Sequence, residues 1–470
     1  MNLKNLIEST LGNLVNAPND NLSNVEINDI SIDSRAIKTG DVFIAIQGDK
    51  FDGHDFIQDV ISKGAICCVI SNKKCLEQLD NYEDISCEFL LVDDTTKAFG
   101  RIAKYIRSNF NFPVIAITGS CGKTTTKEIL AAILKTKGDV LYSDKSFNNH
   151  VGVPLTAIKS LKDKKAYVAA IFEIGTNHQG EIDYLTEIVR PNVAILTKVA
   201  PVHIGNFGSI DDLVFEKQQI FKYLNENDLA IVNADDFYKY KHQSATTKYF
   251  AIDNKDDADI YASNIVLDKK QLSNFNLHYK NKSINITSPF LGKHNIYNIL
   301  SASLAALNLG YTLDEVKKGI ENNLRAISGR LELKSGINDS VIIDDAYNAN
   351  PVAVKASLDI LANYQNNSKK CFVFADMGEL GNDAELYHKE IGQIINEMSI
   401  DYFYAYGELV KYSIDNYNKL SNKSGVYCSS KDDLTIKLKE LLNKEKGLTL
   451  LFKGSNSMGL KDVVNNLVNK

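Results

Sequence analysis

The sequence predicts an α/β protein with three domains. Apolar runs alternate with helix-like stretches, which is the pattern of parallel strands covered by helices. Two such series follow one another, and a shorter mixed segment precedes them. A chain of 470 residues has room for about two to four domains. We place the domains at residues 1–91, 92–324 and 325–470.

The predicted elements appear in the following order. Residues 1–91 form a small mixed α/β unit. The middle series contains buried strands and ends with a helix over 295–310, and the last series contains four further strands. The predicted strands of the two series are 113–118, 167–174, 192–199, 229–235, 341–348, 371–379, 402–407 and 448–455.

Composition and charge exclude several classes of protein. The formal net charge is −6, which argues against broad nucleic-acid binding. No apolar run reaches about 18 residues, and the N-terminus lacks a signal-peptide core, so we expect a cytoplasmic protein without a membrane span. The seven cysteines show no paired C-x-x-C spacing, which predicts reduced thiols and no zinc site.

Charged side chains end many of the predicted strands. In open parallel sheets, ligands bind in the crevice beyond the carboxyl ends of the strands. A single polar strand end is commonplace, but several in two adjacent domains favour a ligand cleft between them. The charged strand ends are Glu173, Lys198, Asp235, Asp344, Asp345, Asp376 and Lys453.

The stretch "AITGSCGKTTTKE" (116–128) has the context of a phosphate-binding loop, because a strand precedes it and a helix follows. Gly119 and Gly122 allow backbone N–H groups to approach phosphate oxygens, Lys123 would neutralise the phosphates, and Thr124 would offer its hydroxyl to Mg²⁺. The alternative is a lysine-bearing loop that only caps a helix. The usual loop has glycine where this chain has Ile117. The predicted ATP-binding loop comprises Gly119, Ser120, Cys121, Gly122, Lys123, Thr124 and Thr125.

This variant resembles the TGTxGKTT loop of the ATP-dependent Mur ligase superfamily, which also contains folylpolyglutamate synthases. The resemblance extends over essentially the full chain. It implies a uridine-nucleotide-binding N-terminal domain, a central P-loop ATPase domain and a Rossmann-like C-terminal domain. The other stretches that carry it are "NDISIDSRAIKTGDVFIAIQGDKFDGHDFI" (28–57), "SFNNHVGVPLT" (146–156), "FEIGTNHQGEI" (172–182), "DDAYNANP" (344–351) and "DMGELG" (376–381).

Within the superfamily, the last two stretches are similar to the branch that adds a dipeptide. The resemblance implies that ATP phosphorylates the terminal carboxylate of UDP-MurNAc-tripeptide and that the amine of D-alanyl-D-alanine attacks the acyl phosphate. It implies two Mg²⁺ ions as cofactors. It implies small-molecule substrates and neither a nucleic-acid nor a membrane partner, and we expect a monomer.

Individual residues receive roles from the same resemblance. Catalysis would rest on Lys123, Glu173, His203 and Lys217, with Lys217 carbamylated. Thr124, Glu173, His203 and Lys217 would hold the metal ions. The nucleotide would contact Asn295, Arg330, Tyr347 and one of Asp344 and Asp345, with His294 and Asn298 as further candidates. The UDP group would meet Ser34, Arg35, Asp49 and His54, and the dipeptide would meet Asn348 and Asn350.

Two positions depart from the superfamily pattern. Lys198 stands where many relatives carry asparagine, and Asn456 in "KGSNSMG" stands where arginine is common. Whether the third peptide residue is diaminopimelate or lysine stays open.

Three alternatives stay open at this point. A ligase that adds a single diamino acid should carry a DNPR-like motif, which we do not find. An inactive binding protein should have lost phosphate or metal residues, yet these are present. A small-molecule kinase would use the same loop but would not account for the C-terminal sheet.

Overall fold

The computed structural model describes most of the chain, and helices cover largely parallel sheets throughout it. It shows three sheets, each within one of the predicted domain ranges. The boundaries between the domains stay a prediction. No described helix is long and apolar enough to cross a membrane. The described residues are 1–15, 24–48, 50–79, 86–163, 165–200, 207–236, 240, 245–365, 368–398 and 400–469.

The N-terminal sheet has five strands in the order β1-β5-β4-β3-β2, and only β1 runs antiparallel to its neighbour. Its core also includes Phe99 and Ile102 of α3, which lie beyond residue 91. That helix therefore covers the first sheet while it leads into the second. The elements are α1 (Leu3–Thr10), β1 (Asn13–Leu14), β2 (Ile30–Ser31), β3 (Val42–Ile44), α2 (Ile57–Ser62), β4 (Cys67–Ile70), β5 (Glu88–Leu91) and α3 (Thr95–Ser108).

The central sheet has nine strands in the order β14-β13-β12-β11-β10-β9-β6-β8-β7. Its parallel strands are almost continuously apolar because helices cover both faces. The elements are β6 (Val114–Thr118), α4 (Lys123–Leu134), β7 (Asp139–Tyr142), α5 (Gly152–Asp163), β8 (Tyr167–Glu173), α6 (Glu181–Val189), β9 (Val193–Leu196), α7 (Ile210–Gln218), β10 (Leu229–Asn233), β11 (Thr246–Ala251), β12 (Ile260–Leu267), β13 (Leu272–Tyr279), β14 (Lys282–Leu291), α8 (His294–Asn308) and α9 (Leu313–Lys318).

The C-terminal sheet has six strands in the order β15-β16-β20-β17-β18-β19, and only β15 is antiparallel to its neighbour. Apolar clusters lie on both of its faces. The elements are β15 (Glu332–Ser335), β16 (Val341–Asp345), α10 (Pro351–Asn363), β17 (Lys370–Ala375), α11 (Ala384–Glu397), β18 (Tyr402–Tyr406), α12 (Val410–Leu420), β19 (Val426–Cys428), α13 (Lys431–Lys444), β20 (Thr449–Lys453) and α14 (Leu460–Asn465).

The structure confirms the predicted strands and the predicted helix near residue 300, with ends that differ by a few residues. The antiparallel ribbon β12–β14 at the edge of the central sheet was not predicted from the sequence. These strands alternate buried and exposed residues because one face meets solvent, so they lack the long apolar runs on which the other predictions rested.

Candidate functional site

A cleft of about 700 Å³ lies between the central and C-terminal domains, beyond the carboxyl ends of β6, β8, β16 and β20. This is where strand topology predicts a ligand site. The cleft brings together predicted residues that are more than 200 positions apart in the chain. Those that line it are Ser120, Cys121, Gly122, Lys123, Thr124, Thr125, Glu173, Asn295, Arg330, Asp345, Tyr347, Asn348 and Asn350.

The backbone of the phosphate loop depends on two glycines. Gly119 has a φ of +151°, and a Cβ there would lie 2.0 Å from the hydroxyl oxygen of Thr197. Gly122 has a φ of +86°, and a Cβ there would lie 2.3 Å from the side-chain oxygen of Asn298. Both conformations favour glycine, and both positions lack room for a side chain. The loop therefore packs flush against β9 and α8.

Polar contacts hold the rest of the loop. The hydroxyl of Ser120 donates to the carbonyl of Ala200 at 2.9 Å, and the Ala200 N–H donates back to it at 3.0 Å. Lys123 begins α4 and donates to the carbonyl of Gly119 at 2.8 Å. Burial lowers the pKa of the Lys123 ammonium, and the nearby carboxylate of Glu173 opposes that shift. These contacts fix the loop and place the Lys123 side chain at its centre.

Hard oxygen donors converge beside Lys123. The hydroxyl of Thr124 donates to Oε2 of Glu173 at 2.9 Å and lies 3.0 Å from the hydroxyl of Ser146. The side-chain amide of Asn148 donates to Oε1 of Glu173 at 2.9 Å. Ser146 and Asn148 were not predicted to have a role, although they lie in the stretch 146–156, which follows β7 and resembles the Mur ligases. Polar residues just beyond a strand end were the available signal.

These donors fit a Mg²⁺ ion better than a transition metal. Within the described ranges, no group of three or more histidine, cysteine or acidic side chains is arranged to hold a metal. One carboxylate with hydroxyl oxygens, substrate phosphates and water is a common Mg²⁺ environment.

Arg330 reaches across the cleft from the C-terminal domain. Its Nη2 donates to the hydroxyl of Thr124 at 2.8 Å, and its guanidinium lies 4.4 Å from the centre of the Tyr347 ring. A guanidinium can stack on an aromatic face while it donates in its own plane. The C-terminal domain therefore presents an oriented cation to the phosphate loop.

The two adjacent aspartates at the end of β16 have different surroundings. Asp345 faces the cleft, where its Oδ2 lies 2.6 Å from the ammonium of Lys453 and accepts from the Ser357 hydroxyl at 2.6 Å. Asp344 pairs with Lys334 on the neighbouring strand instead. Of the two candidates, Asp345 is the one in position to meet a ligand.

Lys217 of α7 is buried behind the cleft wall, with 2% of its surface exposed. Burial, followed by the charge of Lys123, lowers the pKa of Lys217 to about 7. No carboxylate in the described part of the chain lies within 4.0 Å of its ammonium. The lysine therefore gives up its proton near neutral pH.

The start of α8 forms another wall of the cleft. Asn295 donates to the carbonyl of Leu291 at 2.8 Å, and Asn298 donates to the side-chain oxygen of Asn295 at 2.8 Å. Asn298 also accepts from Thr126 at 3.3 Å, which makes its position a packing position. His294 is exposed to the cleft, and the protein around it reduces the hydration of its ring and lowers its pKa to about 4.

A second contact joins the two domains at Cys121. Its sulfur lies 3.5 Å from the side-chain nitrogen of Asn350, which also caps α10 by accepting from the N–H of Ala353. Asn348 and Asn456 line the same cleft. All seven cysteines are free thiols.

Three of the predicted UDP-binding residues, Ser34, Arg35 and His54, do not line this cleft. Arg35 is exposed and donates to both carboxylate oxygens of Asp33 at 2.8 Å. His54 is buried, with Nδ1 2.6 Å from Asp52 and Nε2 accepting the N–H of Ser71 at 3.0 Å.

Of the other two predicted UDP-binding residues, Ser34 and Asp49, only Ser34 belongs to the described part of the chain. The carbonyl of Ser34 accepts a hydrogen bond from the ammonium of Lys63 at 2.9 Å. This bond does not involve the Ser34 hydroxyl. Asp49, and likewise His203 of the central domain, lie outside the described residues. The roles of these residues stay predictions.

Two of the charged strand ends serve their own domain and not the cleft. Asp235 accepts backbone N–H groups of Ile252 and Asn254 at 2.7 Å each. Asp376 accepts those of Glu408 and Val410 at 2.9 Å each. Each carboxylate ties one strand end to the next loop. The expectation of a shared cleft therefore holds for Glu173, Lys198, Asp345 and Lys453.

Comparison with known proteins agrees with this arrangement. Three family models match in succession. They are the Mur ligase family catalytic domain over residues 26–106, the Mur ligase middle domain over 117–306 and the Mur ligase glutamate ligase domain over 329–456. The matches cover each of the three sheets.

Similarity to individual proteins extends over the full length. The chain is 34% identical to the UDP-N-acetylmuramoyl-tripeptide–D-alanyl-D-alanine ligase of Haemophilus influenzae, covering 95% of each sequence. MurF from Acinetobacter baumannii superimposes with a TM-score of 0.86 at 31% identity, covering 99% of this chain and 98% of that one. MurF ligase from Thermotoga maritima in complex with ADP gives 0.78 at 27% identity, covering 93% and 96%.

Proposed function

The chain belongs to the UDP-N-acetylmuramoyl-tripeptide–D-alanyl-D-alanine ligases of the Mur ligase family, and we propose that it carries out their reaction in the cleft described above. The enzyme joins D-alanyl-D-alanine to UDP-MurNAc-tripeptide at the expense of ATP in peptidoglycan precursor synthesis. The terminal carboxylate of the tripeptide receives the γ-phosphoryl group, the dipeptide amine attacks the resulting carbonyl, and phosphate leaves.

The observation that carries this proposal is the contact between Arg330 and Thr124. A simple ATPase would need only the loop and Glu173 on the central domain. Here a guanidinium from the other domain meets the hydroxyl that neighbours Lys123, so the phosphoryl group would be flanked by cations from both sides. Such cations stabilise the negative charge that collects on a phosphoryl group during its transfer.

We propose that Thr124 and Glu173, supported by Ser146 and Asn148, hold one Mg²⁺ ion, and that His203 and Lys217 serve a second. Bound Mg²⁺ would neutralise charge on the ATP phosphates. The Asn148 amide that donates to Oε1 would orient the Glu173 carboxylate for the ion. Lys123 and Arg330 would then contact the phosphoryl oxygens directly.

We propose that Lys217 is carbamylated. The ammonium would first lose one proton, and the neutral amine would then add to CO₂, form an N–C bond and release a second proton. The two steps together convert a buried cation into an anion suited to a metal. The buried site without a described carboxylate partner supports this proposal. Because the pKa of Lys217 is about 7, the reactive neutral amine is lost as the pH falls through 7, and carbamylation should fall with it.

A substitution series tests the carbamate. We expect Lys217→Ala to be inactive and to regain activity with millimolar short-chain carboxylic acids, and CO₂ removal at pH 6.5 to inactivate the wild type reversibly. Full activity of Lys217→Glu without CO₂, combined with no rescue of Lys217→Ala, would require another model. Mass spectrometry after trapping of the carbamate provides the independent readout.

We propose that Ser34, Arg35, Asp49 and His54 serve the UDP group and that Asn348 and Asn350 face the dipeptide. The Cys121 contact supports the second assignment, because Asn350 lies against the phosphate loop where the acyl phosphate would form. We further propose a monomeric, cytoplasmic enzyme. One chain supplies both walls of the cleft, and seven free thiols suit a reducing compartment.

The function is tested by phosphate release with ATP, Mg²⁺, UDP-MurNAc-tripeptide and D-alanyl-D-alanine, each omitted in turn, with the product identified by mass. We expect strict dependence on all four and a pentapeptide product. Activity with a diamino acid in place of the dipeptide would indicate the neighbouring ligase. ATP turnover without either organic substrate would leave only an ATPase.

A further inference from the structure

Four lysine and arginine side chains line the cleft, and three of them already contact other protein groups. Lys123 donates to the Gly119 carbonyl at 2.8 Å, and Arg330 donates to Thr124 at 2.8 Å. Lys453 lies 2.6 Å from the carboxylate of Asp345. The fourth is Lys198, which lines the same cleft.

Lys198 differs from the other three because only its backbone is engaged. Its carbonyl accepts the N–H of Ser120 at 2.7 Å, which fixes the residue against the phosphate loop. Its side chain is exposed to the cleft, and no carboxylate in the described ranges lies within 4.0 Å of its ammonium. A cation that is positioned by its backbone and unpaired at its tip is available for an anionic ligand.

The surroundings indicate which part of the cleft Lys198 serves. A Cβ on Gly119 would lie 3.1 Å from both the N and the O atom of Lys198, so the residue lies directly against the start of the loop. The sheet order places β9, which precedes Lys198, on one side of β6, and β8, which ends in Glu173, on the other side. Lys198 and Glu173 therefore lie on opposite sides of the strand that leads into the phosphate loop.

We propose that Lys198 binds the α- or β-phosphate of the nucleotide, on the opposite side of the loop from the transferred phosphoryl group. This inference rests on the proposed function for the identity of the nucleotide, but not for the reaction. Lys198 would hold ADP as firmly as ATP, while Lys123 and Arg330 act on the γ-phosphate. An ammonium in this position would form a charge-assisted hydrogen bond with a phosphate oxygen, whereas a neutral side chain would form an ordinary one.

The test is calorimetric titration of MgADP and of MgATP into the full-length protein without organic substrates. In Lys198→Met we expect both dissociation constants to rise by about tenfold, as for loss of one charge-assisted hydrogen bond. Lys198→Arg should remain within about threefold of the wild type, because the charge is kept. Lys293→Met is the matched control, since Lys293 lies next to His294 but pairs with Asp253 outside the cleft. It should bind both nucleotides like the wild type.

Three results would overturn the assignment. Unchanged affinity for both nucleotides in Lys198→Met would make Lys198 a solvated side chain. Weakened MgATP with unchanged MgADP would move it to the γ-phosphate. A higher KM for D-alanyl-D-alanine with unchanged nucleotide affinity would make the dipeptide carboxylate its partner. Failure of the proposed function would give a different result: the wild-type protein would bind nucleotide but form no pentapeptide. The titrations would still test the role of Lys198 in that case.

Discussion

The cleft and the N-terminal loops both contain residues that were predicted from the sequence to bind ligands, but the contacts of these two groups of residues differ. In the cleft, Arg330 and Thr124 bond to each other across two domains, and Asn350 reaches Cys121. In the N-terminal domain, Arg35 bonds to Asp33, two residues away in its own loop. The contacts in the cleft join two domains, whereas the pair formed by Arg35 lies within one exposed loop.

The largest effect should come from the centre of the cleft. We expect Lys123→Met to lower kcat by about 10³-fold, because a cation preorganised beside the phosphates is lost from a water-poor site. Lys97→Met, which changes an exposed lysine at the start of α3, should leave kcat unchanged. Steady-state phosphate release compares the two. A Lys123→Met enzyme within tenfold of the wild type would remove the distinction between cleft and surface.

Arg330 should give the next largest effect. We expect Arg330→Met to lower kcat by about 10²-fold and Arg330→Lys to recover only part of it, because a lysine cannot both stack on Tyr347 and donate to Thr124 in one plane. MgADP affinity, measured in parallel, should change little in either variant. Full activity of Arg330→Lys would reduce the contribution of Arg330 to charge alone.

The sequence could predict the cleft because its motifs place strict demands on the backbone. Gly119 and Gly122 adopt conformations that other residues avoid, and the strand, loop and helix around them appear in the apolar pattern. The ends of β8 and β16 were equally visible, and Glu173 and Asp345 at these ends line the cleft. The choice between Asp344 and Asp345 required the structure, because it depends on which residue faces Lys334 on the adjacent strand.

Other features could not be predicted because single residue types are ambiguous. Asp235 and Asp376 look like Glu173 in the sequence, yet they accept backbone N–H groups from neighbouring loops. Ser146 and Asn148 follow β7 like any loop residues, and only the fold brings them to Thr124 and Glu173.

His54 and Arg35 should separate stability from binding in the N-terminal domain. We expect His54→Ala to lower the free energy of unfolding by about 1–3 kcal/mol, because it removes a buried side chain together with its hydrogen bond from the N–H of Ser71. Arg35→Ala should leave stability nearly unchanged, since its pair with Asp33 is exposed, and should raise the KM for the UDP substrate several-fold. Urea unfolding and steady-state kinetics measure these effects. An Arg35→Ala enzyme with an unchanged KM would remove Arg35 from the UDP site.

The smallest effect should come from Asn456. We expect Asn456→Arg to lower the KM for one anionic substrate by about two- to threefold, because it adds one solvated cation to the cleft wall. Substrate titrations with each reactant limiting would identify which one. No change in any kinetic constant would make the position unimportant.

The central claim is that the cleft forms an acyl phosphate on the peptide carboxylate, and isotope transfer tests it most directly. UDP-MurNAc-tripeptide labelled with ¹⁸O in its terminal carboxyl group would be converted with unlabelled ATP and D-alanyl-D-alanine. The released phosphate would then be analysed by mass spectrometry. We predict one ¹⁸O atom in each phosphate, because the carboxylate oxygen that accepts the phosphoryl group leaves with it. Phosphate without ¹⁸O would contradict the account, because ATP would then be cleaved without activating the carboxylate.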